Sequence, residues 1–453
     1  MDFSIDEKSA EKIEYKTYKR RFFILLILLL LQSLTGSEML VFSSLTNVVS
    51  NYYNVSDLAV NWLNLSGLVL SVFAFYPLTS ACEKYGLRDS ITTLAFLGAF
   101  GACIKLVAIQ GQKFFWLLLI GQLFQSCSLQ MSLLTTPTVA SIWFKSEHTA
   151  AIMSSSQVVF SLGLALIFLL PDLIFKKAKA IEEIRNGFNL VLIPATVISV
   201  LLFLLAIFVI RDKPPRPPSA AQKFREAAKN TSKLSDFLNN KNFFYLLFIS
   251  SLIQTCSQVI LLTLNQSVLS RFKYGEQQLS ISGFLPNAVG FIGTFIIGVI
   301  TKKLSNYKVL NIINCTIVGG LLTCYITSLW LKSELLMYFS LSGYGICYNA
   351  NLAIAIDFLF EVSYPLPSGT VYGISLAMNA ILTTICTQLV TILMNNFGSV
   401  NANLILLVNY CIILFLSLLV TEDYRRRKAD SSMEKIKSKN VELIEIEQIK
   451  AAN

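Results

Sequence analysis

The chain has 453 residues, of which 54% are hydrophobic and only 14% charged, with a mean hydropathy of +0.61. A soluble domain carries about 25% charged residues, so these values exclude that class and indicate an integral membrane protein. The formal net charge of +10 does not indicate a nucleic-acid partner, because the Lys and Arg residues lie between and beyond the apolar runs, where they set membrane orientation.

A charged tail, residues 1–21, precedes the first apolar run, which is too long for the core of a cleavable signal peptide. A membrane-crossing helix needs about 20 apolar residues. The first half, 22–210, holds six such spans: Phe22 to Phe42, Ala59 to Cys82, Asp89 to Gln110, Phe114 to Phe144, Thr149 to Phe175 and Asn189 to Ile210. The stretch from Arg211 to Asn242 is the one long polar interval. Its Pro214, Pro215, Pro217 and Pro218 stop the preceding helix, and its polar remainder cannot build a core, so it is a linker. The second half, 243–421, repeats the pattern with Phe243 to Ser270, Gln277 to Ile300, Val309 to Leu331, Leu335 to Phe360, Gly369 to Asn395 and Ala402 to Thr421. A second polar tail, 422–453, closes the chain. The expected fold class is all-α and polytopic, with twelve spans in two six-helix halves.

Counting Lys and Arg on alternate sides gives 28 on the side of the N-terminus and 8 on the other, with Lys105 inside the third span. Positive charge is retained on the cytosolic side, so both tails and the linker are expected there. Arg425, Arg426, Arg427 and Lys428 follow the last span as an anchor at the inner leaflet. The first outer loop, Asn47 to Leu58, has no Lys or Arg and carries one sequon at Asn54. The nine cysteines fall almost wholly inside apolar segments, with no CxxC pair and one His in the chain, which suits packing rather than a metal, disulfide or catalytic site. No phosphate-binding loop, zinc motif or nucleophile elbow occurs, so no cofactor and no enzyme activity are expected.

Polar residues inside the spans recur at helical spacing: Gln122, Ser126 and Gln130 in the fourth; Gln254, Gln258 and Asn265 in the seventh; Ser375, Asn379, Thr383 and Thr387 in the eleventh. Such stripes either hydrogen-bond helices together or line a hydrated cavity, and stripes from both halves favour a shared cavity. Glu38, about 25 Å along the first span at 1.5 Å per residue, is the most demanding residue. A carboxylate at that depth requires a partner, a substrate or a proton. One reading makes Glu38 the negative charge for a cationic solute or a proton carrier; the other pairs it with Lys105.

Six spans, a basic linker and six more is the layout of the major facilitator superfamily, whose halves pack around a site near the membrane midplane. The loop Glu83-Lys84-Tyr85-Gly86-Leu87-Arg88 resembles the end of that superfamily's D-x-x-G-x-R signature, in which glycine permits a tight turn and the basic side chain pairs with a carboxylate at a cytosolic gate. Asn61-Trp62-Leu63, Gly121-Gln122, Pro137 followed by Ala140-Ser141-Ile142-Trp143-Phe144, Lys213-Pro214-Pro215-Arg216-Pro217-Pro218-Ser219, Leu264-Asn265-Gln266 and Glu361-Val362-Ser363-Tyr364-Pro365 together resemble the feline leukaemia virus subgroup C receptor-related family, over nearly the whole chain.

That resemblance implies an alternating-access transporter of a small organic solute, a cationic amine of the choline/ethanolamine type. Export of haem or another metabolite, or a non-transporting receptor, are its alternatives. It also implies a monomer in the lipid bilayer, in the plasma membrane with an organelle membrane as the alternative, and leaves proton coupling open. In the family a Trp of the first span and a Tyr of the seventh enclose the ammonium group, with Gln residues of the fourth and eleventh nearby. Here Leu40 stands at the Trp position and Gln258 at the Tyr position; Gln130 matches the first Gln, and Ala380, beside Asn379, stands at the other. The expected solute site is therefore Glu38, Leu40, Gln130, Gln258 and Asn379. The expected gate is Glu83, Gly86 and Arg88 with the acidic pair Asp357 and Glu361. His148 replaces an Arg of the family's W-F-x-x-E-R turn.

Overall fold

The computed structural model describes residues 18–144, 149–175, 180–212, 240–272, 275–303, 306–363, 366 and 368–421. His148, most of the linker and the tails with their basic runs lie outside the described residues. Helices α1 (Arg20–Ser44), α2 (Thr46–Tyr53), α3 (Asp57–Ala108), α4 (Phe115–Trp143), α5 (Thr149–Ile167) and α6 (Ile181–Val209) form the first half. Helices α7 (Lys241–Leu269), α8 (Glu276–Val289), α9 (Phe291–Lys303), α10 (Tyr307–Leu331), α11 (Glu334–Ser363), α12 (Ser368–Phe397) and α13 (Ser399–Leu419) form the second. Among the described residues eleven helical segments are long and apolar enough to cross a membrane, where twelve were expected; the first arm of α3 is the one outside that group. We call the end of the bundle where α1 begins the N-terminal face and the other end the opposite face.

The departures from regular spans have local causes. The expected second and third spans form the single element α3, bent at Gly86, whose φ of 89° and ψ of 178° suit only a residue without Cβ. Pro286 lies inside α8, and the expected eighth span is divided into α8 and α9. The expected fifth span changes at its end into a π-helical turn, Pro171–Phe175. Most of the expected outer loop is the short helix α2, closed by Asn54 in the left-handed conformation. Tyr52 and Tyr53 of α2 donate their hydroxyls to the carbonyls of Ile109 and Ala108 at 2.7 and 3.1 Å, satisfying carbonyls at the end of α3. Burial raises both phenol pKa values, so they remain donors.

The halves are filled differently. The second has one continuous apolar core, running from Phe243 and Leu246 of α7 through Val318 and Leu322 of α10 to Leu406 and Ile413 of α13. The first has two. One, around Ile24, Leu28, Leu94, Met131 and Leu202, lies toward the N-terminal face; the other, around Phe42, Leu45, Ile109, Leu118 and Phe188, lies toward the opposite face.

Candidate solute site and gate

A cavity lies between α5 of the first half and α7, α8 and α11 of the second. Its walls include Gln157 and Phe160 from α5, Gln258 from α7, Asn287 from α8, and Tyr344 and Tyr348 from α11. The two tyrosines are one helical turn apart, and their rings stack at 5.9 Å between centroids with an interplanar angle of 11°. Gly345 makes room beside them: a Cβ there would lie 2.2 Å from the carbonyl oxygen of Pro286, so α8 packs backbone to backbone against α11. Among the described residues, none that lines this cavity carries a charge. Gln258 is half-buried in the wall and makes no hydrogen bond among the described residues, which leaves its amide for a solute or water.

An apolar plug drawn from both halves borders the cavity: Met39, Leu40, Leu68 and Leu129 from the first half meet Leu262 and Ala380 from the second, with Phe160 and Leu261, also cavity walls, packed alongside. Toward the opposite face, neutral hydrogen bonds latch the halves. Asn265 donates to the carbonyl of Ser44 and to Asn47 Oδ1, each at 2.9 Å; Asn61 donates to Thr391 at 2.9 Å; Gln266 donates to Asn61 at 3.4 Å. Leu40, expected in the place of a cage aromatic, is thus part of the plug. Asn265, expected to share a cavity stripe with Gln254 and Gln258, belongs to the latch.

The structure corrects the reading of Glu38 as an unpaired charge. Its Oε2 accepts from Lys105 Nζ and from Gln125 Nε2, both at 2.7 Å, and its Oε1 accepts from Ser199 at 3.2 Å. Glu38 is 3% exposed and Lys105 fully buried. Four helices, α1, α3, α4 and α6, supply this set, which occupies the layer between the two apolar cores of the first half. Burial of a single charge there would be prohibitive; pairing and hydrogen bonding offset it. Glu38 does not line the cavity.

Asn379 likewise bonds within the helix bundle rather than lining this cavity: its Oδ1 accepts from Thr255 of α7 at 3.2 Å and from Thr383 of its own helix at 3.0 Å. Gln254 and Ser251 bond to Ser375 in the same seam between α7 and α12. In α4, Gln122 is fully buried and donates to the carbonyl of Met39 at 2.7 Å, whereas Gln130 is half-buried with no hydrogen bond among the described residues. The α4 stripe is thus packing at one end and a free amide at the other.

At the N-terminal face, the main-chain N–H of Arg88 donates to Asp212 Oδ1 at 2.8 Å, and a Cβ at Gly86 would lie 2.7 Å from the same oxygen. The Gly86 turn is therefore clasped by a carboxylate just past α6 of its own half, and the Arg88 side chain is exposed. The side chain of Glu83 lies outside what is described. Asp357 is exposed and Glu361 buried on the last turns of α11. Tyr344, Tyr348, Phe160 and Gln157 were missed from sequence. The i, i+4 tyrosines within Ser342-Gly343-Tyr344-Gly345-Ile346-Cys347-Tyr348 were the available signal.

Residues 25–387 match the family model of the Major Facilitator Superfamily. An uncharacterised transporter of that type from Caenorhabditis elegans is 28% identical over 433 residues, covering 94% of this chain and 73% of the relative. The choline/ethanolamine transporter flvcr2a of Danio rerio is 26% identical over 427 residues, covering 92% and 89% respectively. Among solved structures, a D-xylose–proton symporter superposes with a TM-score of 0.71 at 14% identity, covering 89% of this chain and 97% of that one. A bacterial homologue of the human lysosomal transporter Spinster, inward-facing and occupied, gives 0.70 at 14% identity, covering 91% and 99%. Two helical halves, a cavity between them and a family match over most of the chain agree, and the chain belongs to the Major Facilitator Superfamily as a multi-pass membrane transporter.

Proposed function

We propose that this transporter carries a small organic amine of the choline/ethanolamine type by alternating access, as a monomer, in the plasma membrane, with both termini and the linker in the cytosol. The carrying observation is the cavity between the halves, uncharged among its described lining residues, walled by Tyr344, Tyr348 and Phe160 with free amides from Gln157 and Gln258, while the Asn287 side-chain N–H donates to the carbonyl of Gly283 at 2.9 Å. Aromatic faces attract an ammonium group, by about 2 kcal/mol or more once it is desolvated, without a counter-ion that would hold it too tightly to release. The amide oxygens suit a hydroxyl or ammonium hydrogen. Haem is disfavoured, since its propionates would need Lys or Arg in the wall and the described lining residues include neither. The names of the choline/ethanolamine-transporting relatives point the same way.

The amide latch on the opposite face supports access from the cytosol as the state of this conformation. In the opposite state the N-terminal face closes, where the Gly86–Arg88 turn and the Asp357–Glu361 pair stand as gate elements. Uptake of radiolabelled choline and ethanolamine, against an empty-vector control and with haem and pyridoxine as competitors, tests the substrate. Tyr348→Ala should raise KM for choline about thirtyfold at unchanged surface expression, which is the loss of one desolvated aromatic face worth about 2 kcal/mol. Wild-type uptake insensitive to either amine sinks the proposal. Protease protection of a tag in 211–242 tests the orientation, and an outside tag reverses the assignment of sides.

A further inference from the structure

Among the described residues the first half holds a buried ion pair, Glu38 with Lys105, that the cavity does not use. Position 38 lies about 200° from position 40 around α1, at 100° per residue, so Glu38 points into the first half while Leu40 points at the second. The segment between them is tied from behind at successive points. Lys105 Nζ donates to the carbonyl of Glu38 at 3.4 Å as well as to its carboxylate, Gln122 donates to the carbonyl of Met39 at 2.7 Å, and Asn64 donates to the hydroxyl of Ser43. Gln125 joins the carboxylate to the carbonyl of Gly98 at 3.0 Å, bringing the second arm of α3 and α4 into the same set. Met39 and Leu40 are the residues of α1 that enter the apolar plug beside the cavity.

We infer that Glu38 and Lys105 are a positioning pair for the plug. They fix the Met39–Leu40 turn of α1 against the second half, and the requirement is electrical balance within the pair, not a negative charge presented to solute. A lone carboxylate or a lone ammonium in that layer draws in water or a counter-ion and displaces α1, whereas a neutral pair of similar shape keeps the packing. The uptake arm of the test rests on the amine-transport reading; the labelling arm does not.

The experiment compares the parent, Glu38→Gln, Lys105→Met and the double variant Glu38→Gln/Lys105→Met, each with and without Leu40→Cys. The reaction of the cysteine with a membrane-impermeant maleimide from the opposite face is measured above the background of the matching protein that retains Leu40. Choline uptake per surface molecule is measured in the proteins without the cysteine. The parent and the double variant should protect position 40, while either single variant should react about tenfold faster or fail to reach the surface. KM should rise in the single variants and return to within about threefold of the parent in the double. Three results overturn the inference: single variants that label and transport like the parent, a double variant that labels like the singles or does not fold, and a double variant that keeps the plug closed but loses an uptake the parent shows. The last would return Glu38 to solute or proton handling. A parent that carries neither choline nor ethanolamine overturns only the substrate, because the labelling contrast still decides the pair.

Discussion

The two halves of this transporter share a layout and solve the problem of buried polarity in opposite ways. The first divides its apolar core and places a charged pair between the pieces, bound by Glu38, Lys105, Gln125 and Ser199 from four helices. The second keeps one core and threads neutral hydrogen bonds between its helices, as between α10 and α13, where Asn311 meets Ser417, and in the seam between α7 and α12, where Ser251, Gln254 and Thr255 meet Ser375, Asn379 and Thr383. A charged layer is all-or-none, since losing one member strands the other. A neutral seam is graded, because each hydroxyl or amide finds a substitute partner on its own helix. The first half is thereby suited to hold α1 and the plug in one place, while the wall of the cavity comes chiefly from the second half.

This contrast can be broken by substitution. The largest effect is expected for Lys105→Met, which strands the Glu38 carboxylate and should cost about 3–5 kcal/mol, read as a loss of thermal stability in detergent. An unchanged melting temperature would mean that water or another cation reaches the layer. Gly293→Leu comes next. A Cβ there would lie 1.8 Å from the carbonyl oxygen of Ile346, so α9 must lift from α11, at a cost of about 1–3 kcal/mol in the second half. The smallest effect belongs to the neutral seam: Ser375→Ala removes side-chain hydrogen bonds to Ser250 and Gln254 and should cost about 0.6 kcal/mol for each, since such bonds within membranes average about that value. If Ser375→Ala matched Lys105→Met, the distinction between a graded seam and an all-or-none layer would be lost.

Composition and apolar run lengths determined the class of protein and its division into halves. Those features survive any detail of packing, because a bilayer accepts only helices with their backbone bonds satisfied. The order of local strings carried the family resemblance. The polar stripes were visible too, but their roles were not. A stripe records that one face of a helix is polar, and only the neighbouring helix determines whether Gln122 meets the carbonyl of Met39 or Gln258 meets an open cavity. Glu38 shows the same limit: its cost in the membrane was legible, and Lys105 was a possible partner, yet 67 residues of chain separate them and only the packing of α3 against α1 closes the gap to 2.7 Å. Tyr344 and Tyr348 became cavity walls because Gly345 admits the backbone of α8 beside them, a contact between residues far apart in sequence. Sequence sets which side chains exist at each depth; tertiary packing decides which of them meet, because a hydrogen bond or an ion pair depends on ångström distances that helical periodicity along a single helix does not contain.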